Sequence, residues 1–309
     1  MELILQSLVP LTFIIAAGWF AGWRKIIDHK QSANFATYVM SFSFPCILLV
    51  KTSTTNIHDL VNLRFISGFT IGLMGMYFIT FIVNRYIYHR SIAESCQCSF
   101  VSSFPDMAFM GIPIFMVLFG EQSLISIVIG NIITSLIMIP LTVSVLEISQ
   151  GADNRTSMAT MILKIFKKPL VLAPIFGAII SALGLKLPVL VSDALQLFGG
   201  TTSGVSLFAL GLIMSSDKLS FNRFVILNVI RKSILHPLLM WGIVVAFGIS
   251  GDWGKEAILL CAMPPAIMTT MFAAKYDVLK LESSSSAILG TVVALFTMAA
   301  IMYMLSIGK

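Results

Sequence analysis

Ten long apolar segments, separated by short polar stretches, divide the sequence. They cover roughly residues 3–23, 33–50, 64–84, 95–119, 123–146, 166–184, 194–215, 222–249, 256–274 and 284–306. Each is close to the ~20 residues that an α-helix needs to cross the hydrocarbon core of a bilayer. Charged residues make up only 11% of the chain, against ~25% in soluble domains, so most of the surface is expected to face lipid. The pattern predicts an all-α membrane protein with ten transmembrane helices.

Basic residues are unevenly distributed between the two sides of the predicted helices. With the N-terminus outside, the inner connections hold thirteen Lys and Arg residues and the outer side holds five. Because connections rich in Lys and Arg stay on the cytoplasmic side, this bias predicts a protein of the cell (inner) membrane with both termini facing outward. The net charge of +6 is thus explained by the excess of Lys and Arg residues in the inner connections. No nucleic-acid partner is expected, since no basic run is interleaved with aromatic residues.

An internal repeat relates the two halves of the chain. A shift of 159 residues places Gly18 on Gly177 and Pro105 on Pro264. Each half holds five predicted helices, an odd number, so the halves must insert in opposite orientations, as in inverted-repeat secondary transporters. The predicted parts are a first five-helix repeat over 1–148, a cytoplasmic linker over 149–165 and a second five-helix repeat over 166–309.

The fourth and ninth predicted helices carry prolines near their middle. Pro105 lies in the fourth helix, and Pro264 and Pro265 lie at the corresponding place in the ninth. Proline removes a backbone donor and clashes with the preceding turn, so helices four and nine are expected to be broken crossover helices. Free backbone groups at membrane depth are tolerated when they line a wet cavity, and a restarting half-helix presents a positive dipole end. Two ordinary kinks are the alternative. The prolines occupy corresponding positions in the two halves of the chain, which favours a carboxylate-binding site at the two breaks. We include Thr269 in this predicted site.

Asp106, directly after Pro105, is the most distinctive candidate residue. A carboxylate at the bilayer centre costs about 2.5–3.5 kcal/mol, so it needs a compensating role. Three roles are open: capping the restarting helix, carrying a coupling proton, or ligating a coupling cation such as sodium. A coupling role predicts that Asp106→Asn keeps organic anion binding and flattens the dependence of transport on pH or cation.

Lys232 lies in the eighth predicted helix beside Arg231, and four residues before His236. This spacing places Lys232 and His236 on one helix face. One interpretation is that the basic side chains snorkel to the inner headgroups. The other is that Lys232 faces the cavity and attracts the anion.

Three further polar residues are candidates for substrate binding. Thr202 and Ser203 in the seventh predicted helix offer hydroxyl donors, although small residues there equally allow close helix packing. Asn131 in the fifth predicted helix is expected to line the same cavity. Gly18 and Gly22 are predicted to be packing positions only.

Motifs for other chemistry are absent from the sequence. It has no phosphate-binding loop, no serine hydrolase or zinc protease motif, and its four cysteines fit no metal-site spacing. We therefore expect no cofactor, no metal and no enzymatic activity. An ion gradient, the membrane potential or the substrate gradient is the expected energy source.

Four stretches resemble the auxin efflux carrier family, which includes plant auxin exporters and bacterial malonate-carrier-like permeases. They are Asp106–Pro113, Gly204–Leu212, Arg231-Lys232 with His236-Pro237, and Ala262–Tyr276. The resemblance implies two inverted five-helix repeats, as in bile-acid symporters and sodium/proton antiporters, and carriage of carboxylates by an elevator-like movement. The family often has Asn where this chain has Asp106, which favours proton or cation coupling here.

The sequence therefore predicts a secondary active transporter of small organic anions, mono- or dicarboxylates of the malonate or auxin type. A cation/proton antiporter of the same fold is one alternative, but it usually needs a second membrane carboxylate and none lies at mid-span. A non-transporting membrane sensor is the other, and the ten segments leave no room for its signalling domain. The expected partners are a carboxylate, a proton or sodium ion, and membrane lipid; a homodimer is allowed, although no residue points to it.

Overall fold

The computed structural model describes residues 2–28, 31–54, 62–149, 169–215, 219–305 and 307, and these residues are almost entirely helical. Each of the ten predicted apolar segments overlaps at least one of the α-helices in this part of the chain. In chain order, these helices are α1 (Glu2–Trp23), α2 (Ser32–Tyr38), α3 (Phe44–Thr54), α4 (Leu63–Ile82), α5 (Ile92–Ser103), α6 (Ile112–Leu118), α7 (Leu124–Ile133), α8 (Ile139–Ser149), α9 (Pro169–Ala182), α10 (Val189–Met214), α11 (Arg223–Ile230), α12 (His236–Ala246), α13 (Asp252–Ala262), α14 (Met268–Lys275) and α15 (Lys280–Met304).

Short π-helical turns extend or join several of these helices. In the described residues they are Val39–Ser43, Val83–Ile87, Met107–Gly111, Thr134–Met138 and Arg231–Leu235. A π turn disturbs the regular hydrogen-bond ladder and often occurs at functional sites. Two of them fall on predicted site segments, because Met107–Gly111 follows Asp106 and Arg231–Leu235 contains Lys232.

Five helical stretches are long and apolar enough, by length and composition, to cross a membrane. They are Leu63–Ile87, Leu124–Ser149, Val189–Met214, Arg223–Ala246 and Lys280–Met304. Large apolar side chains are exposed on the outside, among them Leu190 and Leu197, more than four-fifths exposed. Such a surface suits lipid and is unusual in a soluble protein. These features are those of a multi-pass membrane protein, and ten spans in two inverted repeats stay a prediction.

One compact unit is drawn from Met1–Leu63, Ala108–Ile129 and Leu163–Ser216. Within it, α1 packs along α10 and α3 packs along α9. A Cβ atom on Gly18 would collide with the carbonyl oxygen of Phe208, and one on Gly211 would collide with the carbonyl oxygen of Ile15. Such contacts let two helix backbones approach closely. The prediction that Gly18 is a packing residue is therefore confirmed.

We expect Gly211→Val to destabilise this unit. The added side chain meets a backbone oxygen that cannot move without shifting α1, and overpacking of this kind costs about 1–3 kcal/mol. The apparent melting temperature in detergent should fall by roughly 3–10 °C. Gly200→Val on the same helix is the matched control, because no described atom lies within 4 Å of its Cβ position. An equal fall for both variants would contradict the close approach of α1 and α10.

The other compact unit is drawn from Arg64–Met107, Gly130–Ile162 and Asp217–Lys309. Its core contains fully buried apolar side chains, including Phe65, Phe69, Leu73, Phe100, Leu259 and Leu260. Most residues of α5 and α13 are buried, and both helices end at a predicted proline break. A Cβ atom on Gly290 of α15 would lie 2.7 Å from Pro265 Cδ, so α15 packs directly against the break in the ninth segment.

The two compact units do not follow the order of the chain. Each takes helices from both of the predicted repeats, whereas the predicted repeats divide the chain into successive halves, 1–148 and 166–309. The division into repeats stays a prediction. The predicted linker 149–165 lies outside the described residues except for Ser149.

Candidate functional site: the crossing of two broken helices

The first break follows from the chemistry of Pro105. Helix α5 starts with a capping box, in which Ser91 and Glu94 exchange hydrogen bonds with each other's backbone N–H groups, and it ends at Ser103. Pro105 has no N–H, so the carbonyl of Val101 loses the donor that a continuing helix would supply. Phe104 is extended, with φ −90° and ψ 105°. The helix is thus interrupted at the predicted position, and a π turn begins at Met107.

The second break has the same cause as the first, acting at two consecutive prolines. Pro264 and Pro265 remove the donors for the carbonyls of Leu260 and Cys261 at the end of α13. The Met263 N–H donates to the Leu260 carbonyl over 3.3 Å, and the Cys261 carbonyl instead receives the side-chain Nζ of Lys232 over 2.8 Å. A buried lysine therefore replaces a backbone donor that proline deleted.

The two breaks cross each other and pair as antiparallel extended segments. Pro105 lies opposite Pro265. The Asp106 N–H donates to the Pro264 carbonyl, and the Ala266 N–H donates to the Phe104 carbonyl, each over 2.9 Å. Four predicted site residues, Pro105, Asp106, Pro264 and Pro265, are thus brought together and buried. The backbone groups that each proline frees are partly satisfied by the other break.

Thr269 lies in the first turn of α14, fully buried, and its hydroxyl donates to the Ala266 carbonyl over 2.8 Å. The Gln97 side chain of α5 donates from Nε2 to the Thr269 carbonyl over 2.8 Å and to Ser283 Oγ over 3.1 Å. Gln97 thereby holds the restarting helix against α5 and α15. Sequence reasoning missed Gln97, although an amide in the middle of an apolar segment is itself a signal of an internal polar role.

Lys232 does not snorkel to the membrane surface. Its side chain and that of His236 are completely buried, and Lys232 Nζ lies 3.1 Å from His236 Nδ1. Lys232 therefore lies inside the protein, and its attraction for an anion stays a prediction. Arg231, the preceding residue, is also buried and donates to Asn84 Oδ1 over 3.4 Å.

The remaining predicted substrate-binding residues have other surroundings. Thr202 and Ser203 belong to α10 in the first unit, where Thr202 is hydrogen-bonded to Ser43 and the Ser203 hydroxyl lies 3.9 Å from Met116 Sδ. Asn131 is half-buried in α7 of the second unit, and its carbonyl accepts a hydrogen bond from Thr134. The contacts of Thr202 and Ser203 given above lie within their own unit.

A second buried carboxyl group was overlooked in the sequence. Glu256 of α13 is 6% exposed, eight residues or about 12 Å along the helix before Pro264. Glu256 is thus far from the break. Among the described residues, Asp106 is the carboxyl group that lies at the crossing. The described residues also contain no group of three or more acidic, His or Cys side chains that could hold a metal ion.

The crossing can bind an anion through two kinds of donor. An ammonium group has three N–H bonds, and two of those on Lys232 are used by Cys261 and His236. In the first turn of α14, the Thr269 and Thr270 N–H groups donate to carbonyls of the preceding turn. The N–H groups of Ile267 and Met268 have no acceptor among the described residues. The positive end of α14 adds to the attraction for a negative charge.

Comparison with known proteins places the whole chain in one family. A family model described as "Membrane transport protein" matches residues 3–302. The uncharacterized transporter YfdV of Escherichia coli strain K12 is 26% identical over 294 residues, which cover 93% of this chain and 94% of that protein. Auxin efflux carrier component 5 of Arabidopsis thaliana is 20% identical over 329 residues, covering 94% of this chain and 93% of the carrier. The chain therefore belongs to the membrane transport protein family, the family of the auxin efflux carriers whose motifs it resembles.

Proposed function

We propose that this protein is a secondary active transporter of small organic anions, mono- or dicarboxylates of the malonate or auxin type. The observation that carries the proposal is the burial of a lysine amine and an aspartate carboxyl group where two broken helices cross. Buried ionisable groups are costly and occur in membrane segments mainly on ion and substrate pathways. Membership of a transporter family agrees with this assignment.

The proposed binding site is the crossing itself. The substrate carboxylate accepts hydrogen bonds from the third N–H of Lys232 and from the backbone N–H groups at the start of α14. Pro105 and Pro265 keep the two helices interrupted at the crossing. Charge-assisted hydrogen bonds of this kind are about twice as strong as neutral ones. Thr269 stabilises the first turn of α14. Thr202, Ser203 and Asn131 stay predicted substrate-binding residues.

The proposed coupling ion is a proton, and Asp106 is the group that carries it. Lys232 binds the Cys261 carbonyl and Asp106 binds the Pro264 carbonyl, both at the second break, so a sodium ion at Asp106 would be repelled by an ammonium group on Lys232. A proton neutralises the carboxylate and leaves Lys232 free to bind the anion. The crossing would reach the two sides of the membrane by an elevator-type alternating-access movement. The near-symmetric pairing of the breaks, Asp106 with Pro264 and Ala266 with Phe104, supports the inverted repeat.

Uptake of radiolabelled acids into proteoliposomes tests the proposal, because a monocarboxylate that crosses with one proton carries no net charge and gives no steady current. We expect saturable uptake of at least one of acetate, malonate and indole-3-acetate, faster when the acid is added at lower pH. Empty liposomes give the background. Proton movement driven by a sodium step, with no uptake of any of the acids, would contradict a carboxylate carrier and support the cation/proton antiporter.

A further inference from the structure

Three arginines lie together at one end of the second unit, where the π turn after α4 packs against α5 and α5 packs against α11. Arg85 belongs to that π turn, and its Nη1 donates to the Arg90 carbonyl over 3.0 Å. The guanidinium carbon of Arg90 lies 3.8 Å from the centre of the Phe224 ring, and that of Arg223 lies 4.7 Å from the same centre. We call Arg85, Arg90 and Arg223 the arginine cluster. They come from two connections that are predicted to face the cytoplasm.

Arg90 is a buried cation whose charge is only weakly compensated. The residue is 9% exposed, and its Nε and Nη1 atoms have no hydrogen-bond acceptor among the described residues. The Glu94 carboxylate lies 3.6 Å from Nη1 and its side chain is 38% exposed. This distance is too long for a hydrogen bond, and an ion pair open to water contributes little. A buried charge of this kind is costly unless a counter-charge lies nearby.

The surroundings of the cluster add further positive charge. The two guanidinium groups at the Phe224 ring lie within about 10 Å of each other, so they repel each other across less than the Debye length of 0.1 M salt. Arg231 lies deeper, 5.6 Å from the centre of the Tyr88 ring, which itself packs on Phe224. Besides Glu94, an acidic side chain beside the cluster is Glu282, which accepts from the side chain of Asn222 over 3.5 Å. An anion bound at the cluster would therefore lower the electrostatic energy.

Exposed apolar side chains beside the cluster indicate the source of that anion. Tyr86, Ile87 and Phe221 lie within two residues of a cluster arginine in the sequence, and each is between 66% and 70% exposed. Aromatic and basic side chains in this combination are typical of the level where lipid headgroups meet acyl chains. A phosphate group suits arginine, because two of its oxygens can accept from one planar guanidinium.

We propose that the arginine cluster binds the phosphate diester of an anionic phospholipid in the cytoplasmic leaflet. The phosphate oxygens accept hydrogen bonds from the exposed side chains of Arg85 and Arg223, and the phosphate charge compensates that of Arg90. The acyl chains lie against the exposed apolar side chains. Basic pockets at the cytoplasmic ends of transmembrane helices bind headgroups in this way. The site takes a different ligand from the crossing of the broken helices and does not depend on the proposed function.

Lipid retained by the purified protein tests this proposal. Native mass spectrometry counts the lipids bound from detergent that contains equal amounts of phosphatidylglycerol, which is anionic, and phosphatidylcholine, which is zwitterionic. We expect the unmodified protein to retain phosphatidylglycerol over phosphatidylcholine by at least about fivefold, and Arg85→Gln/Arg223→Gln to lower this preference below about twofold. Arg24→Gln/Lys25→Gln is the matched control, because it removes two exposed cations from another inner connection. It should keep the preference.

A second measurement separates the lipid from a soluble phosphate and needs no variant. We expect phosphatidylglycerol to raise the melting temperature of the unmodified protein in detergent by at least about 2 °C, and inorganic phosphate at about 10 mM to raise it by less than about half of that. An equal rise with inorganic phosphate would overturn the lipid assignment. The same holds for a protein that retains both lipids equally, and for a preference that falls equally in the cluster variant and in the control.

Discussion

Replacing Pro264 and Pro265 together by alanine is expected to abolish carboxylate transport while leaving the protein folded. The two new N–H groups restore the helical donors for the Leu260 and Cys261 carbonyls, and removal of each proline favours a continuous helix by about 3 kcal/mol. The extended helix displaces Lys232 Nζ from the Cys261 carbonyl. It also removes the extended segment that pairs with Phe104 and Asp106. Misplacing a binding group by about 1 Å can cost on the order of 10²-fold in activity, and we expect a loss of at least this size.

Two measurements separate this effect from simple misfolding. Uptake of indole-3-acetate or malonate into proteoliposomes gives the activity, and the melting temperature in detergent gives the stability, which should be unchanged or higher. Pro188→Ala is the matched control, because Pro188 is exposed and precedes α10 at its N-cap. If the double variant keeps more than half of the unmodified uptake, the crossing does not depend on the prolines and the assigned site is wrong.

The second large effect is expected at Asp106. Asp106→Asn should bind carboxylate with an affinity that changes less than about twofold between about pH 6 and about pH 8. In the unmodified protein one proton binds with the anion, so the affinity rises as pH falls, by up to about tenfold per pH unit. The amide cannot take up that proton, and its side chain leaves Lys232 free for the anion at every pH.

Titration calorimetry with malonate and indole-3-acetate at several pH values measures this dependence directly. Asp252→Asn is the control, because the Asp252 side chain is 71% exposed and pairs with Lys255 on its own helix. It should keep the pH dependence of the unmodified protein. Full pH dependence in Asp106→Asn would show that Asp106 is not the coupling group and would move the proton to another residue.

The positions of the two breaks could be predicted without the structure. A proline acts on its own backbone and on the turn before it, so Pro105 and the pair Pro264 and Pro265 predict interruptions from local chemistry alone. The shift of 159 residues that relates Pro105 to Pro264 further predicted that the two breaks correspond. The structure adds that they meet, with Pro105 opposite Pro265.

The surroundings of the polar side chains could not be predicted in the same way. Lys232 fits a snorkelling residue and an inward-facing residue equally well from its position in the eighth segment. Its burial depends on the Cys261 carbonyl, which is available only because Pro265, far away in the sequence, has no N–H. Gln97 was missed for the same reason, since its partner is the carbonyl of Thr269 in a different segment.

Local sequence chemistry was therefore sufficient to predict an apolar, helical membrane protein, two proline breaks and a buried carboxyl group at Asp106. These follow from hydropathy and from the covalent structure of proline, which act within one segment. Tertiary structure alone decided that the breaks cross and that Lys232 replaces the missing donor of α13. Such partners come from different segments of the chain, and only packing in three dimensions determines which buried donor meets which buried acceptor.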